Sequence, residues 1–314
     1  MNNQIETFYS HGKLLLTGEY LVLQGAKALA LPVNLGQKLE VCKNDSNHID
    51  WITFEKSKPV FTAVFSLPKL TIIETNDPTK SNYLISLLLA AKTLNPTFLS
   101  TKQGFAIKAS VEFSMNWGLG SSSTLINNLS LWAKVNAFKL NRIISKGSGY
   151  DIACAQTASP IIYQQLDSVP NINEVTFNLP FLKQLNLLYL NKKVATESNI
   201  LDFLNHDNIN QESIKKVNRI TSEIIECKIF NIFQQLIKKH EAILSIIINE
   251  KPIKQKLFSD FKGEVKSLGA WGGDFALVAS NLSFNEQQGY FDSKGYNTFF
   301  PLTDLLNNIN EPNN

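Results

Sequence analysis

Two short stretches of this 314-residue chain hold residue types able to do chemistry, one as a phosphate cradle and one as a placed carboxylate. The first is Trp117-Gly118-Leu119-Gly120-Ser121-Ser122-Ser123, between a strand pattern and a strong helix pattern. Glycines let a backbone approach a polyphosphate closely, and a following helix offers unpaired N–H groups and the positive end of its dipole. The serine hydroxyls add donors, and one of them could ligate Mg²⁺. The same residues describe equally well a Gly/Ser turn whose serines cap a helix. Neither the GxxxxGK[ST] loop nor the third glycine of a dinucleotide fingerprint is present. The second stretch is Gly147-Ser148-Gly149-Tyr150-Asp151-Ile152-Ala153, a Gly-rich turn ahead of a helical run. Its Asp151 suits an acid–base role, and suits as well an early-helix carboxylate stabilised by the dipole.

Short apolar runs between turn signals predict strands over 13–16, 20–23, 28–33 and 37–41, with a turn at Gly25, and further strands over 51–54 and 60–65. Residues 81–94 read as a helix and 104–113 alternate as a strand. A single helix is expected over 124–139, where Leu125, Leu129, Trp132, Val135 and Phe138 recur at helical spacing. Beyond residue 160 the pattern predicts strands over 160–163, 185–190 and 275–279, and helices over 200–205, 212–227 and 229–248. Strands and helices mix without a βαβ rhythm, which points to an α+β architecture rather than a doubly wound parallel sheet. A boundary is expected within 155–185, giving domains 1–165 and 166–314. The Asn-rich end, NNINEPNN, reads as a frayed tail.

Bulk properties narrow the function classes. A hydrophobic fraction of 44% supports a sizeable core, and a net charge of +3 with scattered lysines gives no nucleic-acid footprint. Only two arginines occur, Arg142 and Arg219, so phosphate recognition must rest on lysines and backbone N–H groups, with or without a metal ion. Three widely spaced cysteines without CxxC spacing suggest reduced thiols. No basic segment followed by an apolar one opens the sequence, and no apolar stretch reaches membrane-span length. A soluble, cytoplasmic protein acting on a small molecule, with no nucleic-acid or membrane partner, is expected.

The Gly/Ser stretch has company in a particular order. With His11-Gly12-Lys13 through Gly18-Glu19-Tyr20-Leu21-Val22-Leu23 before it, the Asp151 turn after it, and Lys266-Ser267-Leu268-Gly269-Ala270-Trp271-Gly272-Gly273-Asp274 last, the chain resembles the GHMP kinases. These segments look like that superfamily's N-terminal "PGK…GE", "GLGSS", "GSGxD" and C-terminal "GAGGG" motifs, and together span residues 11 to 274. GEYLVL, the aromatic before GLGSS, GSGYDIA and the GGD ending resemble the phosphomevalonate kinases most, with mevalonate kinases next. The resemblance implies two domains, an N-terminal mixed α/β nucleotide-binding domain and a C-terminal ferredoxin-like α+β domain.

It also implies an ATP- and Mg²⁺-dependent kinase of isoprenoid precursor synthesis, phosphorylating 5-phosphomevalonate. Mevalonate kinase, diphosphomevalonate decarboxylase and a catalytically inactive ATP-binding member are the alternatives. Carried over residue by residue, Asp151 and Lys13 become catalytic, Trp117 to Ser123 the ATP-phosphate loop, and Ser122 the metal ligand. Glu19, Tyr20, Lys193, Thr196, Gly269, Ala270, Gly272, Gly273 and Asp274 fall on the substrate side, with Lys193 and Thr196 in a segment like the acceptor loop of those enzymes. Glu19 on this resemblance holds Lys13 or the Mg²⁺ shell. Three departures stand out: no Asp or Glu lies between Ser122 and Asp151, where many members place a Mg²⁺-binding Glu; Trp271 interrupts the glycine run; and His11 replaces the usual proline.

Overall fold

A computed structural model describes residues 5–166, 169–192, 210–269, 271 and 273–306. The chain divides into two compact units that each draw on separated segments: Met1–Gly12, Leu35–Met115 and Leu119–Gln156 in the first, Lys13–Asn34, Asn116–Gly118 and Thr157–Asn314 in the second. Strands β1 (Ile5–Thr17) and β2 (Ala28–Asn44) each contribute residues to both.

In the first unit, β3 (His48–Glu55), β4 (Lys58–Ser66), β5 (Ile72–Thr75) and β6 (Gly104–Val111) join Gln37–Asn44 of β2 in the order β5-β4-β3-β6-β2. All pairs are antiparallel except β3 with β6, which run parallel. Helices α1 (Pro78–Leu94), α2 (Ser121–Ala133), α3 (Ala137–Ile144) and α4 (Tyr150–Ala155) belong to this unit. Its core joins Leu39, Ile49, Phe65 and Ile107 of the strands to Leu87, Leu88, Leu129 and Leu140 of the helices. The start of α1 is set by Asp77, whose carboxylate accepts the Lys80 N–H at 3.1 Å ahead of a proline in the first turn.

In the second unit, Ala28–Ala30 of β2 pair with β7 (Ile161–Leu166), which pairs with β8 (Val169–Glu174). A separate antiparallel sheet holds β9 (Leu185–Tyr189), β10 (Glu264–Ser267), β11 (Phe275–Ala279) and β12 (Phe299–Pro301) in the order β10-β11-β9-β12. Helices α5 (Gln211–Glu226), α6 (Phe230–Ile247) and α7 (Ile253–Leu257) lie between β9 and β10, and α8 (Phe284–Ser293) between β11 and β12. An inner strand, a helical excursion, a hairpin, a helix and a returning edge strand give the βαββαβ order and antiparallel neighbours of a ferredoxin-like sheet. The class is α+β, with one large mixed sheet and one small antiparallel sheet, as expected.

Several elements differ from expectation. The run 20–23 forms no strand but a 3₁₀ turn, Leu21–Gln24, between Gly18 (φ 85°), Tyr20 (φ 60°) and Gly25 (φ 83°), with Leu21 and Val22 buried. Positive φ at three positions within eight residues prevents an extended run. Strands 28–33 and 37–41 are one continuous β2. The helix expected over 124–139 is two: Lys134 takes a left-handed conformation (φ 55°), and Asn136 starts α3 by accepting the Lys139 N–H at 3.0 Å. The helix expected over 200–205 and the tail lie outside the described residues. Cys154 and Cys227 are buried, Cys42 is half-buried, and all three are free thiols. No helix among the described residues is long and apolar enough to cross a membrane.

Candidate functional site

The candidate residues divide between the units. In the first, Gly120 takes a left-handed conformation (φ 94°) and starts α2 with no side-chain cap, so the leading N–H groups of Ser121, Ser122 and Ser123 are those a helix leaves without an intrahelical acceptor. The serines are not caps in the ordinary sense. Ser123 Oγ donates back to the Gly120 carbonyl at 2.9 Å, and Ser122 Oγ lies 2.6 Å from the Tyr83 hydroxyl on α1. Leu119, just ahead, is buried and anchors the turn.

Beneath this helix start runs a buried polar network that sequence reading did not single out. Thr124 donates to the Gln37 side chain at 2.6 Å, and Asn128 donates to the Gln37 carbonyl at 2.8 Å. Ser10 donates to Asn128 at 2.7 Å, accepts from Asn127 at 2.9 Å, and Asn127 in turn accepts from Gln156 at 2.9 Å. The network ties α2 to β1, β2 and the end of α4, fixing the direction in which its N-terminus points. Consecutive amides on a helix due to be buried, Asn127-Asn128, were the available signal.

Asp151 sits in the first turn of α4, which Gly149 (φ 90°) starts without a side-chain cap. Its Oδ1 accepts the Ile152 N–H at 3.0 Å, and the side chain is half-buried. The carboxylate therefore has both the helix dipole and a partly dehydrated setting.

In the second unit, Lys13 on β1 donates from Nζ to the Gly118 carbonyl at 2.8 Å. Gly118 has a left-handed φ of 63° that strains any other residue, and a Cβ there would stand 2.1 Å from Asp274 Oδ2, so a side chain would also displace the Asp274 carboxylate. Trp117 packs with Phe275, Phe300 and Tyr189 at ring-centroid distances of 5.6, 5.8 and 6.5 Å, and the Tyr189 hydroxyl donates to the Asn116 carbonyl at 3.1 Å. The Asp274 backbone (φ 53°) donates to Lys192 and accepts from Leu190, both at 2.8 Å. Burial, followed by the charge of Asp274, pushes the Tyr189 phenol up. Lys13, Trp117, Gly118, Leu268, Gly269 and Asp274 share the lining of one small concavity of about 10 Å³. A larger concavity, about 540 Å³, lies on the sheet of the first unit among Glu40, Asp50, Thr62 and Lys108, and includes none of the candidate residues.

Glu19 does not hold Lys13, whose Nζ goes to the Gly118 carbonyl. Glu19 is buried and hydrogen-bonded to Lys266 Nζ, which is thus the lysine on its carboxylate. Tyr20 accepts the Trp271 N–H on its hydroxyl oxygen at 3.1 Å. Trp271 itself is buried with Leu21, Ala26, Val217 and Leu244, in a core cluster of this unit. Gly269 (φ 68°) and buried Gly273 flank it. Lys193, Thr196, Ala270 and Gly272 lie outside the described residues.

Among the described residues no group of three or more His, Cys, Asp or Glu side chains is placed to hold a metal ion. The polar setting fits Mg²⁺ only in the manner in which that ion accompanies a nucleotide, through phosphate oxygens, waters and one or two protein groups. The uncapped start of α2 fits the phosphates themselves.

No family model matches the chain, and no curated protein matches it. Solved structures do. Mevalonate kinase of Methanococcus jannaschii is 18% identical over 96% of this chain and 98% of its own, with a TM-score of 0.67. Phosphomevalonate kinase of Streptococcus pneumoniae, in complex with phosphomevalonate and AMPPNP, is 16% identical over 94% and 99%, with a TM-score of 0.68. Lactococcus lactis galactokinase complexed with galactose is 14% identical over 95% and 92%, with a TM-score of 0.66. The chain has the fold of the GHMP kinases along nearly its whole length, as the order of its motifs implied.

Proposed function

We propose that the protein is an ATP-dependent phosphotransferase of the GHMP kinase type that moves the γ-phosphoryl group of ATP to 5-phosphomevalonate, releasing ADP. The observation that carries this reading is the start of α2: a left-handed Gly120, no side-chain cap, and a buried amide network aiming the helix N-terminus. Phosphoryl transfer asks a protein mainly for positioning and for charge stabilisation on the β- and γ-phosphates. In this reading the amides of Ser121, Ser122 and Ser123 hold phosphate oxygens, and Asp151 orients the acceptor oxygen and takes any proton it carries. Lys13 offsets charge as the transfer proceeds. Mg²⁺, when bound, supplies neutralisation of the polyphosphate, and Ser122 and Asp151 are the side chains offered to it. Trp117, Gly118, Gly269, Gly273 and Asp274 shape the loop that carries Lys13's partner carbonyl, and Lys193 and Thr196 serve the acceptor.

The finer motif texture supports phosphomevalonate over mevalonate as acceptor, and GLGSSS with GSGYD supports a kinase over the decarboxylase. The experiment is a coupled ADP-release screen with Mg²⁺ across 5-phosphomevalonate, mevalonate, homoserine and galactose. Turnover on 5-phosphomevalonate at the highest kcat/KM is expected. Carbon dioxide release from mevalonate diphosphate and ATP would replace the reading with the decarboxylase, and Mg·ATP binding without turnover on any acceptor with the inactive member.

A further inference from the structure

Four ionisable side chains of the second unit are sealed from solvent together: Lys266 and His240 at 0% exposure, Glu19 at 1% and Glu241 at 4%. The transfer chemistry proposed above uses none of Lys266, His240 and Glu241. They arrive from three places: Glu19 from the turn after β1, His240 and Glu241 from α6, and Lys266 from β10. Lys266 Nζ donates to Glu19 Oε1 and to the Ser267 carbonyl, the latter at 2.8 Å. Glu241 Oε1 accepts the Ser267 N–H at 3.1 Å. His240 Nε2 accepts the Gly18 N–H at 3.0 Å and stands 3.4 Å from Glu19 Oε2. From α7 the Ile253 backbone also bonds Glu241, while Glu264, the other charge on β10, pairs with Lys254 at 3.0 Å.

One ammonium thus faces two carboxylates and an imidazole. Burial, then the charge of Lys266, holds His240 neutral, and with Nε2 accepting a hydrogen bond its proton is assigned to Nδ1. Two carboxylates sharing one ammonium at low dielectric do not both ionise readily. Burial raises both: in Glu19 the direct bond from Lys266 opposes the rise, whereas Glu241 is pushed up to about 8. The charge count that closes is a Glu19–Lys266 ion pair beside a protonated Glu241.

The chain positions give this arrangement leverage. Gly18 and Glu19 directly follow β1, which carries Lys13, and Lys266 and Ser267 directly precede Leu268 and Gly269. Lys13, Leu268, Gly269 and Asp274 line the same small concavity. Pinning Glu19 to Lys266 and Gly18 to His240 therefore ties the end of the strand that carries Lys13 to the segment that leads into Leu268 and Gly269.

We propose that Glu19, Lys266, Glu241 and His240 form a buried one-proton latch that pins the turn after β1 to the start of the 268–274 loop, and that removing the proton loosens both segments. These are positioning residues. Their effect on turnover rests on the kinase reading, through Lys13; their effect on the backbone does not.

The test uses the full chain and a Glu241→Gln variant. Infrared difference spectra of the wild type should hold a protonated-carboxyl band at about pH 7 that is lost by about pH 9.5, and the variant should lack it throughout. Hydrogen exchange at the amides of Gly18, Glu19, Ser267 and Leu268, corrected for intrinsic rate, should quicken about tenfold or more over that interval in the wild type and stay level in the variant. Should Glu241→Gln not fold, the two wild-type measurements decide alone. Absence of the band at neutral pH, or exchange at these amides that ignores pH, overturns the latch. ADP release run in parallel separates the two ideas: no turnover on any acceptor sinks the kinase reading and leaves the latch to the spectra, whereas turnover with pH-independent exchange sinks the latch alone.

Discussion

The start of α2 and the Glu19–Lys266 cluster handle charge in opposite ways. At α2 the protein leaves the positive end of a helix uncapped and supports it from below with neutral amides and hydroxyls. Around Lys266 it buries full charges and lets them neutralise one another. The first arrangement is unfinished without an anion; the second balances its charges internally, although Glu19 Oε2, His240 Nδ1 and Glu241 Oε2 have no hydrogen-bond partner among the described residues. A group left incomplete marks a place where a ligand acts, and a group closed on itself marks a place where backbone is held. The two should respond to mutation in separable ways, the first through kinetics with stability unchanged, the second through stability first, with any change in turnover following from it.

The sharpest separation is expected from Asp151→Asn, on the kinetic side. If Asp151 handles the acceptor, kcat falls by about 10²–10⁴-fold, ATP affinity changes little, and the unfolding free energy stays within about 0.5 kcal/mol because the residue is half-buried and near a helix end. Steady-state kinetics beside urea unfolding checks both parts, and near-normal turnover would remove Asp151 from the mechanism. Lys266→Met is the mirror image. Taking the only ammonium out of a cluster with two buried carboxylates should cost about 3–5 kcal/mol, read as a lowered urea midpoint. A variant as stable as the wild type would mean that the cluster is not a charge-balanced unit.

The wild type sharpens the comparison through pH. In the folded state Glu241 keeps its proton up to about 8, whereas an unfolded glutamate loses it near the ordinary 4.5. Between those values the folded state binds more protons than the unfolded one, so Glu241's contribution to stability declines as pH rises through the window and levels off above about 8. Urea unfolding at a series of pH values should show that decline, and Glu241→Gln should flatten it. On the other side of the comparison, Ser122→Ala should lower kcat/KM for Mg·ATP by about tenfold, equivalent to about 1.4 kcal/mol, and leave the pH-stability curve unchanged.

The difference between the regions also explains what sequence could disclose. The Gly/Ser loop and the Asp151 turn are local: glycines, serines and a helix start lie within a few residues, and their order along the chain carried the resemblance to the fold. Strand β11, Phe275–Ala279, is legible for the same reason, an apolar run after a glycine cluster. The buried cluster is not local. Lys266 and Glu19 are 247 positions apart, and a lysine in EVKSLG looks like any strand lysine until the partner arrives. Glu19 was visible as a motif residue, yet its burial and its partner were not. The 3₁₀ turn at Leu21–Gln24 was misread because GEYLVLQG has strand composition, while its direction is set by positive φ at Gly18 and Tyr20.

The split between α2 and α3 yields the smallest of the expected effects and a test of how the helix start is aimed. Apolar spacing runs on through Val135 and Phe138, and that continuity argued for one helix. Two local features override it: the left-handed Lys134 closes α2, its N–H reaching the Leu131 and Ser130 carbonyls, and the Asn136 side chain caps α3. Asn136→Ala should therefore cost about 1 kcal/mol of stability. Because the buried amide network, not the far end of α2, aims its N-terminus, Mg·ATP kinetics should stay as in the wild type. If kinetics shift as much as in Ser122→Ala, the helix start is steered from its C-terminal end, and the network of Gln37, Asn127 and Asn128 loses the role given to it.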